Sequence, residues 1–92
     1  MSEKHTLEAV IVNKRGLHAR ASAKFVGAVA AMDRVAVVVS KDGQDAAGES
    51  ILGLMMLGAA MGDTITISVS GEDAQARLAL LAELVATGFG EN

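Results

Sequence analysis

No cysteine occurs among the 92 residues of this chain, which excludes thiol nucleophiles, disulfides and thiolate metal sites. Aromatic side chains are almost as scarce. Phe25 and Phe89 are the only ones, so there is no platform on which nucleic-acid bases could stack. The net charge of −3 points the same way, because nonspecific DNA binding needs a cationic surface. The two histidines, His5 and His18, lie far apart and lack carboxylates at ligand spacing, so no metal site is expected. The N-terminus carries no apolar signal core. The longest apolar run, Ile51 to Met61, is too short to span a bilayer and contains Gly53 and Gly58. These absences predict one cytoplasmic domain over residues 1–92, with no membrane insertion and no nucleic-acid partner.

What the chain does have is Ala, Val, Leu, Ile and Met arranged in two periods. Thr6 to Val12 reads as a strand that ends at the polar turn Asn13-Lys14-Arg15-Gly16. From Ala19 the period lengthens. Ser22, Phe25, Val26, Val29 and Met32 form one helical stripe, with Lys24 facing solvent and an end near Met32-Asp33. Val35, Val37 and Val39 alternate with Ala36 and Val38, as in a well-covered strand. Asp42-Gly43 predicts a tight hairpin returning through a short edge strand, Gln44 to Gly48.

Ser50 is placed to cap a short helix from Ile51 to about Leu57, which Gly58 stops. Ile65, Ile67 and Val69 alternate with Thr64, Thr66 and Ser68 in a half-buried strand. Ser70 and Asp73 have the spacing of a capping box. The last helix carries the stripe Ala74, Leu78, Leu81 and Val85, with Leu84 on its flank, and stops at Gly88. Helices that bury one stripe pack most simply on one face of an antiparallel sheet. The order βαββαβα therefore predicts an α+β open-faced sandwich. Periodicity leaves the order of the strands open.

Residues 16 to 22 read Gly16-Leu17-His18-Ala19-Arg20-Ala21-Ser22 and put a histidine at a helix start. The first-turn N–H groups there lack partners and favour an anion. Arg20 adds a fixed charge and a fork of donors that suits phosphate oxygens. A plain cap would account for His18 alone. Its surroundings favour a histidine that accepts a phosphoryl group, because the helix N-terminus and Arg20 disfavour the protonated ring and leave a lone pair for attack. Backbone N–H groups of Ala19 and Arg20 would then hold the phosphate through charge-assisted bonds, roughly 1.5–3 kcal/mol each.

Lys14, Arg15, Arg20 and Lys24 occur with no acid between them, although the whole chain is acidic. Beside His18, such a run favours docking of acidic partner surfaces over an ordinary solvated patch. Ile51, Leu52, Met55 and Met56 crowd a helix too short to bury them all, which leaves an adaptable apolar surface.

On the pentapeptide Gly16-Leu17-His18-Ala19-Arg20, the Asp42-Gly43 hairpin and the segment Ser50-Ile51-Leu52-Gly53-Leu54-Met55, the chain resembles the HPr family. These are the histidine-containing phosphocarriers of the bacterial phosphoenolpyruvate-dependent phosphotransferase system, in its sugar-uptake or nitrogen-regulatory branch. The resemblance is collinear over nearly the whole chain. It implies four antiparallel strands in the order 1-4-2-3 with three helices on one face. It also implies His18 as the phosphohistidine, reacting through Nδ1, and Arg20 as the phosphate-side arginine. Ser50 matches the serine that a regulatory kinase, HPr kinase/phosphorylase, modifies in some members.

The implied partners are Enzyme I as donor and enzyme IIA-type proteins as acceptors, meeting a surface of Arg15, Lys24, Ile51, Leu52 and Met55. The chain is then a monomeric carrier without cofactor or metal, and not an enzyme in its own right. A phosphate on Ser50 would bring about −1.5 to −2 charges beside the apolar patch and weaken donor docking. Many members have proline after the arginine where this chain has Ala21, a good helix residue that keeps the fold but leaves the branch open. Two rivals stand beside the carrier. One is a non-catalytic regulatory module of the same fold, acting through the Ile51–Met56 surface. The other is a small enzyme using His18 as general acid or base, for which no second catalytic group is evident.

Overall fold

Alternating apolar residues build the sheet, and helical stripes cover one side of it. The computed structural model describes residues 3–91. In chain order these form β1 (Glu3–Val10), α1 (Ala19–Ala30), β2 (Val35–Lys41), β3 (Gln44–Ala47), α2 (Ile51–Met56), β4 (Thr64–Gly71) and α3 (Ala74–Ala86), followed by a 3-10 turn, Gly88–Gly90. The strands lie antiparallel in the order β1-β4-β2-β3, with β4 pairing on both sides. Leu7 and Val39 both face Ile67 in register. This is the open-faced sandwich and the strand order expected above.

Burial follows the pleat. Val37, Val39, Ile65, Ile67 and Val69 point under the helices and are all nearly inaccessible. They meet Phe25 and Val29 of α1, Leu54 of α2, and the expected α3 stripe of Ala74, Leu78, Leu81 and Val85. Full burial of a side chain such as Phe25 or Ile67 stabilises the fold by about 1.5–3 kcal/mol. The opposite face carries Thr6, Thr66, Ser68 and Ser40 and is half-exposed or exposed. Thr6 and Ser68 share a hydrogen bond across β1 and β4 there.

Three local expectations need correction. The first strand stops at Val10 because the backbone of Ile11 is taken elsewhere. Its N–H donates to the Asp63 carbonyl at 2.9 Å, and its carbonyl accepts from Gly62 N–H at 2.8 Å. That turns Ile11 into the core and leaves Val12 half exposed. β2 is covered on one face only, with Val38 at the surface. The Ser70–Asp73 spacing makes no capping box: Asp73 itself is the N-cap, in the left-handed region at φ 55°, and makes no side-chain cap bond. Lys24 lies off the buried stripe and is exposed, as expected, and its amine donates to the Phe89 carbonyl at 2.7 Å.

The hairpin at Asp42-Gly43 has both residues at positive φ, 51° and 82°, as a two-residue turn requires. Ser50 caps α2 as expected, its hydroxyl accepting from Gly53 N–H at 2.9 Å.

Candidate functional site

His18 is the N-cap of α1, with extended backbone and its ring turned back over the first helical turn. The Arg20 backbone N–H donates to Nδ1 at 3.3 Å, so the imidazole satisfies a donor that serine or aspartate usually satisfies. Its carbonyl accepts from Ser22 N–H at 2.9 Å and starts the helix. No acidic residue occupies the first turn, which leaves its positive end uncompensated from within the helix.

The loop that delivers His18 is fixed to the segment after α2. Leu17 N–H donates to the Ala59 carbonyl at 2.9 Å. Gly16 allows this approach, since it sits at φ 61° and a Cβ there would lie 2.2 Å from the Ala59 carbonyl oxygen. Asn13 is buried and braces the same loop, its Nδ2 donating to the Gly16 carbonyl at 2.8 Å.

The most consequential side chain is one that the sequence reading missed. Glu91 returns from the far end of the chain, and its Oε2 lies 2.7 Å from His18 Nε2. Its other oxygen, Oε1, accepts from Asn13 Nδ2 at 3.0 Å. Burial raises the Glu91 carboxyl, but hydrogen bonds from Asn13 and His18 and the field of His18 and Lys24 outweigh it. The group is held below its ordinary value.

A strap of three residues brings Glu91 there. Gly88, Phe89 and Gly90 all have positive φ. For Phe89, at 57°, that conformation costs on the order of 1–3 kcal/mol. Complete burial of its ring and the Lys24 hydrogen bond to its carbonyl offset the cost. Two glycines flanking a lone aromatic were the visible signal of a chain reversal. Nothing local said that the reversal would end against His18.

Arg15, Arg20 and Lys24 come together as expected. With Lys14, Gly90 and Glu91 they line an open cleft of about 420 Å³. The cleft is shallow and mainly cationic, and it suits the oxygens of an anion. Ala21 is fully buried in the first turn.

Ile51, Leu52 and Met55 do not line this cleft. They stand on α2 with 40%, 67% and 40% of their surface exposed, and Met56 with 72%, while Leu54 alone is fully buried. One short helix thus anchors through Leu54 and offers four apolar side chains outward. His5 is half-buried beside Glu3, well along β1 from this site. Among the described residues no cluster of three His, Asp or Glu side chains could hold a metal ion. Nor is any described helix long and apolar enough to cross a membrane.

Comparison with known proteins bears on the whole chain. A family model described as the PTS HPr component phosphorylation site matches residues 5–87. Phosphocarrier protein HPr of Cupriavidus necator is 42% identical over 84 residues, covering 91% of this chain and 93% of that protein. Phosphocarrier protein NPr of Shewanella violacea is 39% identical over 84 residues, 91% of each. The crystal structure of HPr-C-His from Thermoanaerobacter tengcongensis superposes with a TM-score of 0.89 at 33% identity, over 96% of this chain and 98% of that one.

Proposed function

The chain belongs to the HPr family of phosphocarrier proteins, and on that premise we propose that His18 is the residue that carries the phosphoryl group. A member of this family is a carrier in the phosphotransferase system, not a catalyst, and the partner enzymes of that system act on it. The observation that supports His18 is its place as N-cap of α1, with Nδ1 over the first turn and a cationic cleft alongside.

In this reading Nδ1 attacks the phosphorus carried by the charged donor, and the Ala19 and Arg20 N–H groups turn to the phosphate oxygens. The Arg20 guanidinium compensates the arriving charge. A shallow site suits a carrier, because a few exposed bonds stabilise the cargo without trapping it. Larger partners complete the positioning: Enzyme I, charged by phosphoenolpyruvate, as donor, and enzyme IIA-type proteins as acceptors. Both are taken to dock on Arg15, Lys24, Ile51, Leu52 and Met55.

We further read residues 1–92 as one monomeric cytoplasmic domain, and Ser50 as a site for a regulatory kinase. A phosphate on Ser50 keeps the helix cap and sets charge beside the exposed Ile51 and Leu52. A regulatory module without phosphotransfer is not favoured, since it leaves the His18 arrangement without a use. Relatives named HPr and NPr both match, so the branch is decided by which IIA-type acceptor takes the phosphate.

The test is incubation with Enzyme I and phosphoenolpyruvate. The wild type is expected to gain one acid-labile phosphate, and His18→Ala to gain none while keeping its fold. A folded wild type that never gains that phosphate from its cognate Enzyme I would defeat the reading.

A further inference from the structure

We infer that Glu91 is a positioning residue that selects which ring nitrogen of His18 reacts, by holding the ring proton on Nε2. The inference rests on the carrier reading above and adds what makes Nδ1 the reacting atom.

Two hydrogen bonds on opposite sides of the ring require the same tautomer. An ionised carboxylate can only accept, so the proton between Nε2 and Glu91 Oε2, 2.7 Å apart, belongs to the ring. On the other side the Arg20 N–H can only donate, and it meets Nδ1 at 3.3 Å. Nδ1 therefore holds the lone pair. The neutral ring satisfies both neighbours in this form and neither in the other. Asn13 completes the device, because its Nδ2 bonds Oε1 at 3.0 Å and the Gly16 carbonyl at 2.8 Å, aiming the carboxylate at the ring.

The transfer step balances around this proton. The Nδ1 lone pair forms the bond to phosphorus as the bond from phosphorus to the donor breaks, and that electron pair leaves with the donor. The ring keeps its Nε2 proton and gains positive charge, which Glu91 faces at hydrogen-bond distance. In onward transfer the Nδ1–P bond breaks, its electron pair returns to Nδ1, and the original tautomer is restored. Glu91 never touches phosphorus. It acts through the ring, as outer partners of histidine ligands and bases do.

The isosteric variant makes the sharpest test. In Glu91→Gln, Asn13 Nδ2 still needs an acceptor, so the amide oxygen faces Asn13 and the amide nitrogen faces His18. A donor then opposes Nε2, which favours the Nδ1–H tautomer and blocks attack.

Nitrogen-15 NMR of the neutral His18 ring is expected to show Nε2–H in the wild type and a shift toward Nδ1–H in Glu91→Gln. The rate of phosphorylation by Enzyme I is expected to fall roughly 10–100-fold in that variant. Glu91→Ala, with neither donor nor acceptor, is expected to show mixed tautomers and a smaller loss. An Nδ1–H ring in the wild type overturns the inference without any variant. So does a Glu91→Gln protein whose tautomer is unchanged, however slow it is, or one whose tautomer shifts at an unchanged rate. A wild type that takes no phosphate would instead defeat the carrier reading, and the ring spectrum would still decide the tautomer.

Discussion

The two working regions of this molecule are held in opposite ways. Around His18 a chain of hydrogen bonds runs from Nδ1 with Arg20 and Nε2 with Glu91 to Glu91 with Asn13 and Asn13 with Gly16. On α2 the outward side chains of Ile51, Leu52, Met55 and Met56 are largely exposed, and Leu54 anchors the helix beneath them. In the inference above, the first region fixes one atom in one chemical state. The second offers an apolar surface, which in the proposed function flexible methionines would let several partners share. On that proposal, chemistry that is the same with every partner is built rigidly, and recognition that changes with the partner is left adaptable. The Leu17–Ala59 hydrogen bond and the close approach at Gly16 tie the His18 loop to the segment that follows α2.

That division can be broken one side at a time. The largest effect after loss of His18 itself is expected from Leu52→Glu, which puts a charge in the proposed docking patch. Steady-state phosphorylation by Enzyme I should show KM raised roughly 100-fold, as for loss of a central interface contact, with the ring tautomer unmoved. An unchanged KM would take α2 out of the docking surface. Arg20→Ala comes next. Losing one charge-assisted contact is expected to slow transfer or shorten the phosphate lifetime roughly tenfold, with little change in KM.

Ser50→Ala removes only the cap of α2 and is expected to cost about 1 kcal/mol in denaturant unfolding, at an almost normal transfer rate. Ser50→Asp keeps the cap yet is expected to slow acceptance from Enzyme I. An unmodified rate would count against Ser50 as a control point.

The smallest effect is the pH dependence of the Glu91 contact. Its carboxyl is lowered in the folded protein, so the contact stabilises the fold above the ordinary value of 4.5 and is lost as pH falls through the lowered one. Unfolding curves of the wild type and Glu91→Gln are expected to differ at pH 7 and to converge in acid.

The periods of this chain carried most of its fold. Ile65, Ile67 and Val69, and the α3 stripe from Ala74 to Val85, point inward as alternation and helical spacing require. The Ser50 cap and the Asp42-Gly43 turn depend on neighbours within a few residues, so they too were legible. Failures occurred where a distant segment decides the outcome. β1 ends at Val10 because Asp63 and Gly62 claim Ile11. α3 starts at Asp73 without a capping box because its N-cap takes up a left-handed conformation, just after Glu72 N–H bonds the Arg34 carbonyl.

The site divides the same way. His18, Arg20, Arg15 and Lys24 occupy one stretch of sequence and converge on one cleft and the helix end beside it. Glu91 lies 73 positions from His18, and its arrival depends on a left-handed turn at Phe89 that no local pattern aims.

The most direct measurement is phosphorus and nitrogen-15 NMR of the protein after phosphorylation by Enzyme I and phosphoenolpyruvate. The expected spectrum has one phosphorus coupled to Nδ1 of His18, with the proton retained on Nε2. Phosphate on Nε2 or on any other residue would contradict the assignment of His18 Nδ1 as the acceptor.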